Sequence, residues 1–190
     1  MSRIAIHPLE SAAGAAAAVY ARITQAVGRV PNCFAAIGQL RPAALKAMLQ
    51  LDGVLAAGSL SRQDQETVKL VASEAAGCDY CITAHSLLGA LTGLEAPTLR
   101  RIRSGLRTGD ARRDALVRFV RRLAHSRGTL AEAEVAAVRA AGFSDAQLVE
   151  ISLAVAVATF TNTFNRINDT EIDLPSPASA AGALPFSTIA

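Results

Sequence analysis

Residues 65–91, QETVKLVASEAAGCDYCITAHSLLGAL, read as two consecutive helices broken at Gly77. A glycine there ends one helix in a left-handed cap, and Cys78 opens the next. No strict apolar–polar alternation runs through the segment, so a strand is excluded. The two helices carry Glu66, Cys78, Cys81 and His85. Cys81 and His85 lie four residues apart on one helix face, a spacing expected to bring the imidazole within hydrogen-bonding range of the sulfur. Cys78 at the helix N-terminus meets unpaired N–H groups and the positive end of the dipole, which favour thiolate over thiol. Glu66 begins a stripe with Leu70, Ser73 and Gly77 that leads to the turn. If the chain reverses at Gly77, Glu66 lies ~16 Å back along one helix and His85 ~12 Å back along the other, so their side chains are expected to meet. Glu74 points about 80° away from that stripe and reads as a surface charge.

Two thiols separated by two residues, with an imidazole and a carboxylate beside them, supply the parts of thiol–disulfide chemistry: a nucleophile, a resolving thiol, a base and a group to orient that base. Zinc is the rival. Cys78, Cys81 and His85 supply three ligands, with Cys33 or His125 as a fourth, but no second ligand pair accompanies the first. Haem attachment is excluded, because Ile82 and not His follows the second Cys. The expectation is therefore a site without metal or cofactor. Cys33 otherwise reads as a buried free thiol. In the last helical segment Asn162, Arg166 and Asp169 recur at i, i+4 and i+7, with Asn165 alongside. That polar stripe lines a pocket or an interface, or is a helix end emerging into solvent; Asn162 and Tyr80 are the candidate supporting residues.

The rest of the chain is Ala-rich and helical in period. Its 190 residues are 51% hydrophobic, with mean hydropathy +0.30, which suits one well-buried domain. About eight helices are expected from the caps and breakers. They cover 11–27, 42–58, 61–77, 78–93, a short Arg-rich segment from Pro97, 110–127, 131–141, and 144–169 with a break. Pro31 and Asn32 read as a turn. The reading is all-α, a single domain over 1–173. A Pro/Ser/Ala-rich tail follows over 174–190, LPSPASAAGALPFSTIA, either loose or draped over a neighbour.

The net charge of +3 is modest. The densest basic stretch, RRIRSGLRTGDARRDALVRFVRRLAHSR over 100–127, reads as a solvated helix face interleaved with Asp110 and Asp114. Without stacking aromatics it does not predict nucleic-acid binding. AAGAAAAV near the start runs into an amphipathic helix and is no convincing secretory signal. ISLAVAVATF is short of the ~20 residues needed to span a bilayer. No membrane contact is expected, and the cytoplasm is the expected compartment, where a CxxC pair signals redox or metal chemistry and not a structural staple.

The pattern SLSRQDQETVKLVASEAAGCDYCITAHSLLGALTGL over 59–94 resembles the alkylhydroperoxidase D / carboxymuconolactone decarboxylase family, in its peroxidase-related branch. Its marks are a Glu twelve residues before the first Cys, the CxxC pair, and a His four residues after the second Cys. VPNCFAAIGQLRPAALKAM upstream and FNRINDTEIDLP downstream extend the likeness more loosely. The resemblance implies an AhpD-like all-α bundle, about eight helices with CxxC at the N-terminus of a central one, assembled as a homo-oligomer (trimer or hexamer). It implies Cys81 as the thiolate attacking a small-molecule hydroperoxide, Cys78 as resolving thiol, His85 as base and Glu66 in the proton relay, with a dithiol or protein reductant as partner. The best-known peroxidases of this family carry His between the cysteines; here Tyr80 stands there, and a phenol does not titrate near neutrality. A shorter relay and weaker activity are expected. Carboxymuconolactone decarboxylation is the second reading, although relatives with that chemistry typically lack the CxxC pair. A non-catalytic redox-sensing oligomer is the third.

Overall fold

The side chain of Ser61 accepts the backbone N–H of Asp64 at 3.1 Å and starts a helix that runs Arg62–Ala76. Gly77, with φ 66° and ψ 41°, ends it in the left-handed conformation that costs a glycine nothing. The Cys78 N–H returns to the Ser73 carbonyl at 3.1 Å, closing the cap. Cys78 is itself the N-cap of the next helix, Asp79–Leu91.

The computed structural model describes residues 2–175, and among them the chain is all-α. In order the helices are α1 (Gly14–Val27), α2 (Asn32–Leu40), α3 (Pro42–Ala56), α4 (Arg62–Ala76), α5 (Asp79–Leu91), α6 (Ala96–Ser104), α7 (Ala111–His125), α8 (Glu132–Ala140) and α9 (Asp145–Asn168), after a short 3-10 turn at Leu9–Ser11. The expected boundaries hold to within a few residues, with two corrections. Pro31 does not mark a mere turn: its fixed φ of −62° places it just before the first residue of α2, a helix missing from the expected set. α2 is packed tightly. Tyr20 Oη donates to the Ala35 carbonyl at 2.6 Å, and a Cβ at Gly38 would fall 2.5 Å from the Tyr20 ring. The second correction is α9, which runs unbroken for 24 residues from its Ser144 cap.

α4, and not the CxxC helix, lies at the centre. It packs against α5, α6, α7 and α9. Its apolar residues Val68, Leu70 and Val71 join Leu116, Val120 and Ile151 in one core cluster. A second cluster unites α1, α2 and α3 with Cys78, Tyr80, Cys81 and Val157. The polar residues that α4 also buries are each matched. Asp64 pairs with Arg112 at 2.7 Å, Gln65 donates to the Leu55 and Leu60 carbonyls, and Ser73 donates to Lys69 O and to Asn162 Oδ1.

By length and composition α9 as a whole matches a membrane span, although the apolar run inside it is shorter. In this fold it packs on α3, α4 and α5 and buries Ile151, Ala154, Val157 and Ala158, leaving Val149, Phe160 and Ile167 exposed. Four arginines of the Arg-rich stretch are engaged internally: Arg103 with Glu74, Arg113 with Asp110, Arg122 with Glu134, and Arg112 stacked 3.8 Å over Phe143. Glu74, expected as a free surface charge, thus ties α4 to α6. Leu174 packs onto the second cluster, so the domain extends past the boundary expected at 173. The remainder of the expected tail, 176–190, lies outside the described residues.

The Gly77 turn can be tested alone. Gly77→Ala meets no neighbour, but places a Cβ at positive φ. It is expected to lower stability by about 1–2 kcal/mol, read as a drop in Tm by thermal unfolding.

Candidate active site

The turn at Gly77 folds α5 back along α4, and the side chains expected to meet do so. Glu66 Oε2 lies 2.9 Å from His85 Nδ1, with the two side chains 12% and 13% exposed. Burial alone pushes the Glu66 carboxyl up; the His85 imidazole, its hydrogen bond, and the Lys69 and Arg62 cations outweigh that and hold it below its ordinary value. Lys69 is buried beside it and bonds Asp52 at 2.6 Å. Burial pulls this ammonium down, and Asp52 and Glu66 more than restore it. The relay side of the site is therefore a run of alternating charge, Asp52–Lys69–Glu66, that ends on the His85 ring.

At the start of α5 the Cys78 and Cys81 sulfurs lie 2.7 Å apart. Cys78 Sγ also receives the backbone N–H of Cys81 at 3.3 Å. The hydrogen bond from the Cys81 thiol is the main influence lowering the Cys78 pKa; burial opposes it, and the Cys81 amide and Arg166 assist. Cys81 moves the other way, raised chiefly by its bond to Cys78 and then by burial. Ionisation of the reduced pair is therefore easier at Cys78, at the helix N-terminus, than at Cys81. Cys33 is 2% exposed, and burial pushes its thiol up to about 12.

Three expectations need correction. His85 makes no hydrogen bond to either sulfur among the described residues; sharing a face with Cys81 puts both on one cavity wall, while Glu66 draws the ring away. The donor on Cys81 is Asn165, whose Nδ2 lies 3.2 Å from its Sγ. Asn162, chosen from the same stripe, instead accepts from Ser73 and pins α9 to α4. Tyr80 joins neither sulfur nor imidazole: its hydroxyl donates to Asp173 Oδ1 at 3.0 Å and accepts the Cys33 N–H, so it fastens α5 to α2 and to the segment after α9. Burial, then Asp173, raises the phenol further from neutrality. The five residues weighed as zinc ligands, Cys78, Cys81, His85, Cys33 and His125, form no metal-holding group among the described residues. His125 is exposed at the end of α7, and no group of three or more His, Cys, Asp or Glu among the described residues is placed to hold a metal ion.

A cavity of ≈ 430 Å³ collects these groups. Glu66, Lys69 and His85 occupy part of its wall, and Cys33, Cys81 and Asn165 another. Phe34, Met48, Leu49, Leu88 and Val157 make much of the rest apolar. Asn165 and Lys69 were the residues hardest to find from sequence. Asn165 stood in the right stripe, but only the rotation of α9 decides which member meets sulfur. Lys69 had the faint signal of being one of two lysines in the chain, set in a helix that reads as buried.

The lowered Glu66 carboxyl sets a pH dependence. Its stabilising ionised form is complete above its ordinary value of 4.5 and is lost as pH falls through the lower value of the folded chain. Glu66→Gln is expected to cost about 1–3 kcal/mol near neutrality. It should also remove that part of the acid-side loss, as measured by urea unfolding over a pH series; identical pH slopes in both proteins would contradict the assignment.

Residues 42–94 match the carboxymuconolactone decarboxylase family. No curated protein matches the chain by sequence. Among solved structures, a peroxidase-related protein with an alkylhydroperoxidase AhpD core from Ralstonia eutropha JMP134 is 20% identical, with TM-score 0.79 over 90% of this chain and 92% of that one. A peroxidase-related protein from Silicibacter sp. TM1040 is 19% identical, with TM-score 0.72 over 89% and 92%. The debrominase Bmp8 is 19% identical, with TM-score 0.76 over 94% and 95%. The fold around the Glu66, Cys78, Cys81 and His85 constellation is thus AhpD-like, and the central segment 42–94 is similar to the carboxymuconolactone decarboxylase family.

Proposed function

We propose that this chain is a dithiol oxidoreductase that reduces a small-molecule hydroperoxide, with Cys81 as the attacking sulfur and Cys78 as its partner. The observation that carries the reading is the contact of the two sulfurs, one of which, Cys81, lines a cavity that also holds a carboxylate–imidazole pair. A thiolate on Cys78 beside a thiol on Cys81 lets one proton move between them. As Cys81 attacks the terminal oxygen of the hydroperoxide, its proton passes to Cys78, so the site never carries two adjacent negative charges. The O–O bond breaks, Cys81 becomes a sulfenic acid, and the departing alkoxide takes a proton from His85. Glu66 orients the imidazole for that transfer, and the Lys69 ammonium favours the ionised form of Glu66. Cys78 then attacks the Cys81 sulfur, the disulfide forms, and hydroxide leaves as water with the Cys78 proton. A dithiol reductant returns two electrons and two protons. His85 acts here as an acid toward the leaving oxygen, which suits an imidazole that faces the cavity without touching sulfur.

The apolar lining of the cavity favours a second substrate class on the same dithiol. An apolar halogenated ring could exchange a halogen for hydrogen, the pair supplying the electrons and closing to its disulfide. Bmp8 shares the fold, and a cysteine-to-alanine variant of Bmp8 has been solved with 2,3,4-tribromopyrrole (18% identity, TM-score 0.77, 96% of this chain and 97% of that one).

Steady-state consumption of an alkyl hydroperoxide with dithiothreitol tests the first reading, and 2,3,4-tribromopyrrole in the same assay tests the second. Cys78→Ser and Cys81→Ser are each expected to abolish turnover, with a trappable sulfenic acid on Cys81 in the Cys78→Ser protein. His85→Gln is expected to slow turnover by about 10²–10⁴-fold. Turnover that survives loss of both thiols refutes the assignment. A change of oligomeric state on oxidation without turnover would support the redox-sensing reading instead.

A further inference from the structure

Behind the sulfur pair lies a second recess. It is a polar cleft of ≈ 330 Å³ lined by Gly77, Cys78, Asp79, Arg166, Asp169 and Ile172, among others. It shares only Tyr80 and Asn165 with the cavity that holds Glu66 and His85. The two sulfurs fall on opposite sides of that partition, with Cys81 in the wall of the apolar cavity and Cys78 in that of the polar cleft. Gly77, Asp79, Arg166 and Asp169 on the cleft are exposed, whereas Cys78 is only 2% exposed. A reagent must therefore enter the cleft to touch its sulfur. Such a volume admits a short chain of atoms and not the face of a folded protein.

We infer that this cleft is the docking site of the reductant, a small dithiol in its thiolate form, which attacks the Cys78 sulfur while the oxidising substrate meets Cys81 from the other side. The inference rests on the dithiol reading above and adds the identity of the sulfur attacked and the door used. The reductant thiolate bonds to Cys78 and the Cys78–Cys81 bond breaks, with Cys81 leaving as thiolate. Asn165 Nδ2, already 3.2 Å from Cys81 Sγ, donates to that departing charge. The reductant's second thiol then attacks its own sulfur in the mixed disulfide and expels Cys78 as thiolate, and the reductant closes to a cyclic disulfide. The one thiol proton that the reductant still carries restores the Cys81 thiol, and the proton it gave up to solvent on forming its thiolate is returned from solvent to His85. Arg166 on the cleft rim draws the incoming thiolate and helps hold the charge that ends on Cys78. Separate doors explain how one buried disulfide serves an apolar oxidant and a polar reductant without either having to leave before the other arrives.

The mixed disulfide reads this directly. The wild-type protein is oxidised chemically with diamide, exposed briefly to 2-mercaptoethanol, quenched in acid, and the adduct mapped by peptide mass spectrometry. The adduct is expected on Cys78. An adduct on Cys81, or shared evenly between the two, overturns the inference. A second measurement uses Ile172→Trp, which fills the cleft from its rim, where Ile172 is 46% exposed. Reduction of the diamide-formed disulfide by dithiothreitol is expected to slow by roughly tenfold, since access governs exchange. Oxidation of the reduced protein by hydroperoxide, followed separately in single turnover, is expected to stay within about twofold. Unchanged reduction, or equal loss in both half-reactions, overturns it. Because diamide makes the disulfide, an absence of hydroperoxide turnover would count against the peroxidase reading alone and leave this one to stand on the adduct.

Discussion

A carboxylate withdrawn from water must be given partners, and Glu66 receives His85 at 2.9 Å from the next helix. That one contact fixes how α5 folds back along α4. Once the register is set, Cys78 must sit at the turn and Cys81 one turn inward, against Asn165 of α9. Had Glu66 pointed to solvent, the two helices could slide past one another, and the sulfurs would have no fixed neighbour. The geometry of the dithiol is thus inherited from an acid–base pair that touches neither sulfur.

The same logic runs along the whole of α4. Its buried polar side chains find specified partners on other elements: Asp64 on α7, Gln65 at the end of α3 and on the loop after it, Lys69 on α3, Ser73 on α9. Apolar contacts alone would hold these helices together in several rotations, whereas paired polar groups tolerate one. The lysine shows the economy of the arrangement: its ammonium keeps Glu66 ionised from one side while Asp52 neutralises it from the other.

Charge on the dithiol is divided in a comparable way. The helix N-terminus and the Cys81 thiol favour ionisation at Cys78, and the carboxylate–imidazole pair lines the same cavity as Cys81. Tyr80 and Asn165 line both recesses, with Cys81 in the wall of one and Cys78 in that of the other. Tyr80, between the two cysteines, serves as a fastener whose hydroxyl spans Cys33 and Asp173.

Periodicity, Gly77, and the Ser61 and Ser144 caps made the all-α fold and most helix limits legible, because caps and breakers act through local backbone chemistry. α2 escaped, since Pro31 signals a turn and a helix start with the same fixed φ. Glu66, Cys78, Cys81 and His85 were also readable, their spacings following from 3.6 residues per turn and one reversal. What the local chain could not reveal was rotation and depth: that Asn165 and not Asn162 reaches the sulfur, that Lys69 is buried behind Glu66, and that the sulfurs face different recesses. Those facts depend on how α9 turns against α4 and α5. That rotation is set by packing between residues some 80 to 90 positions apart, and no local pattern encodes it.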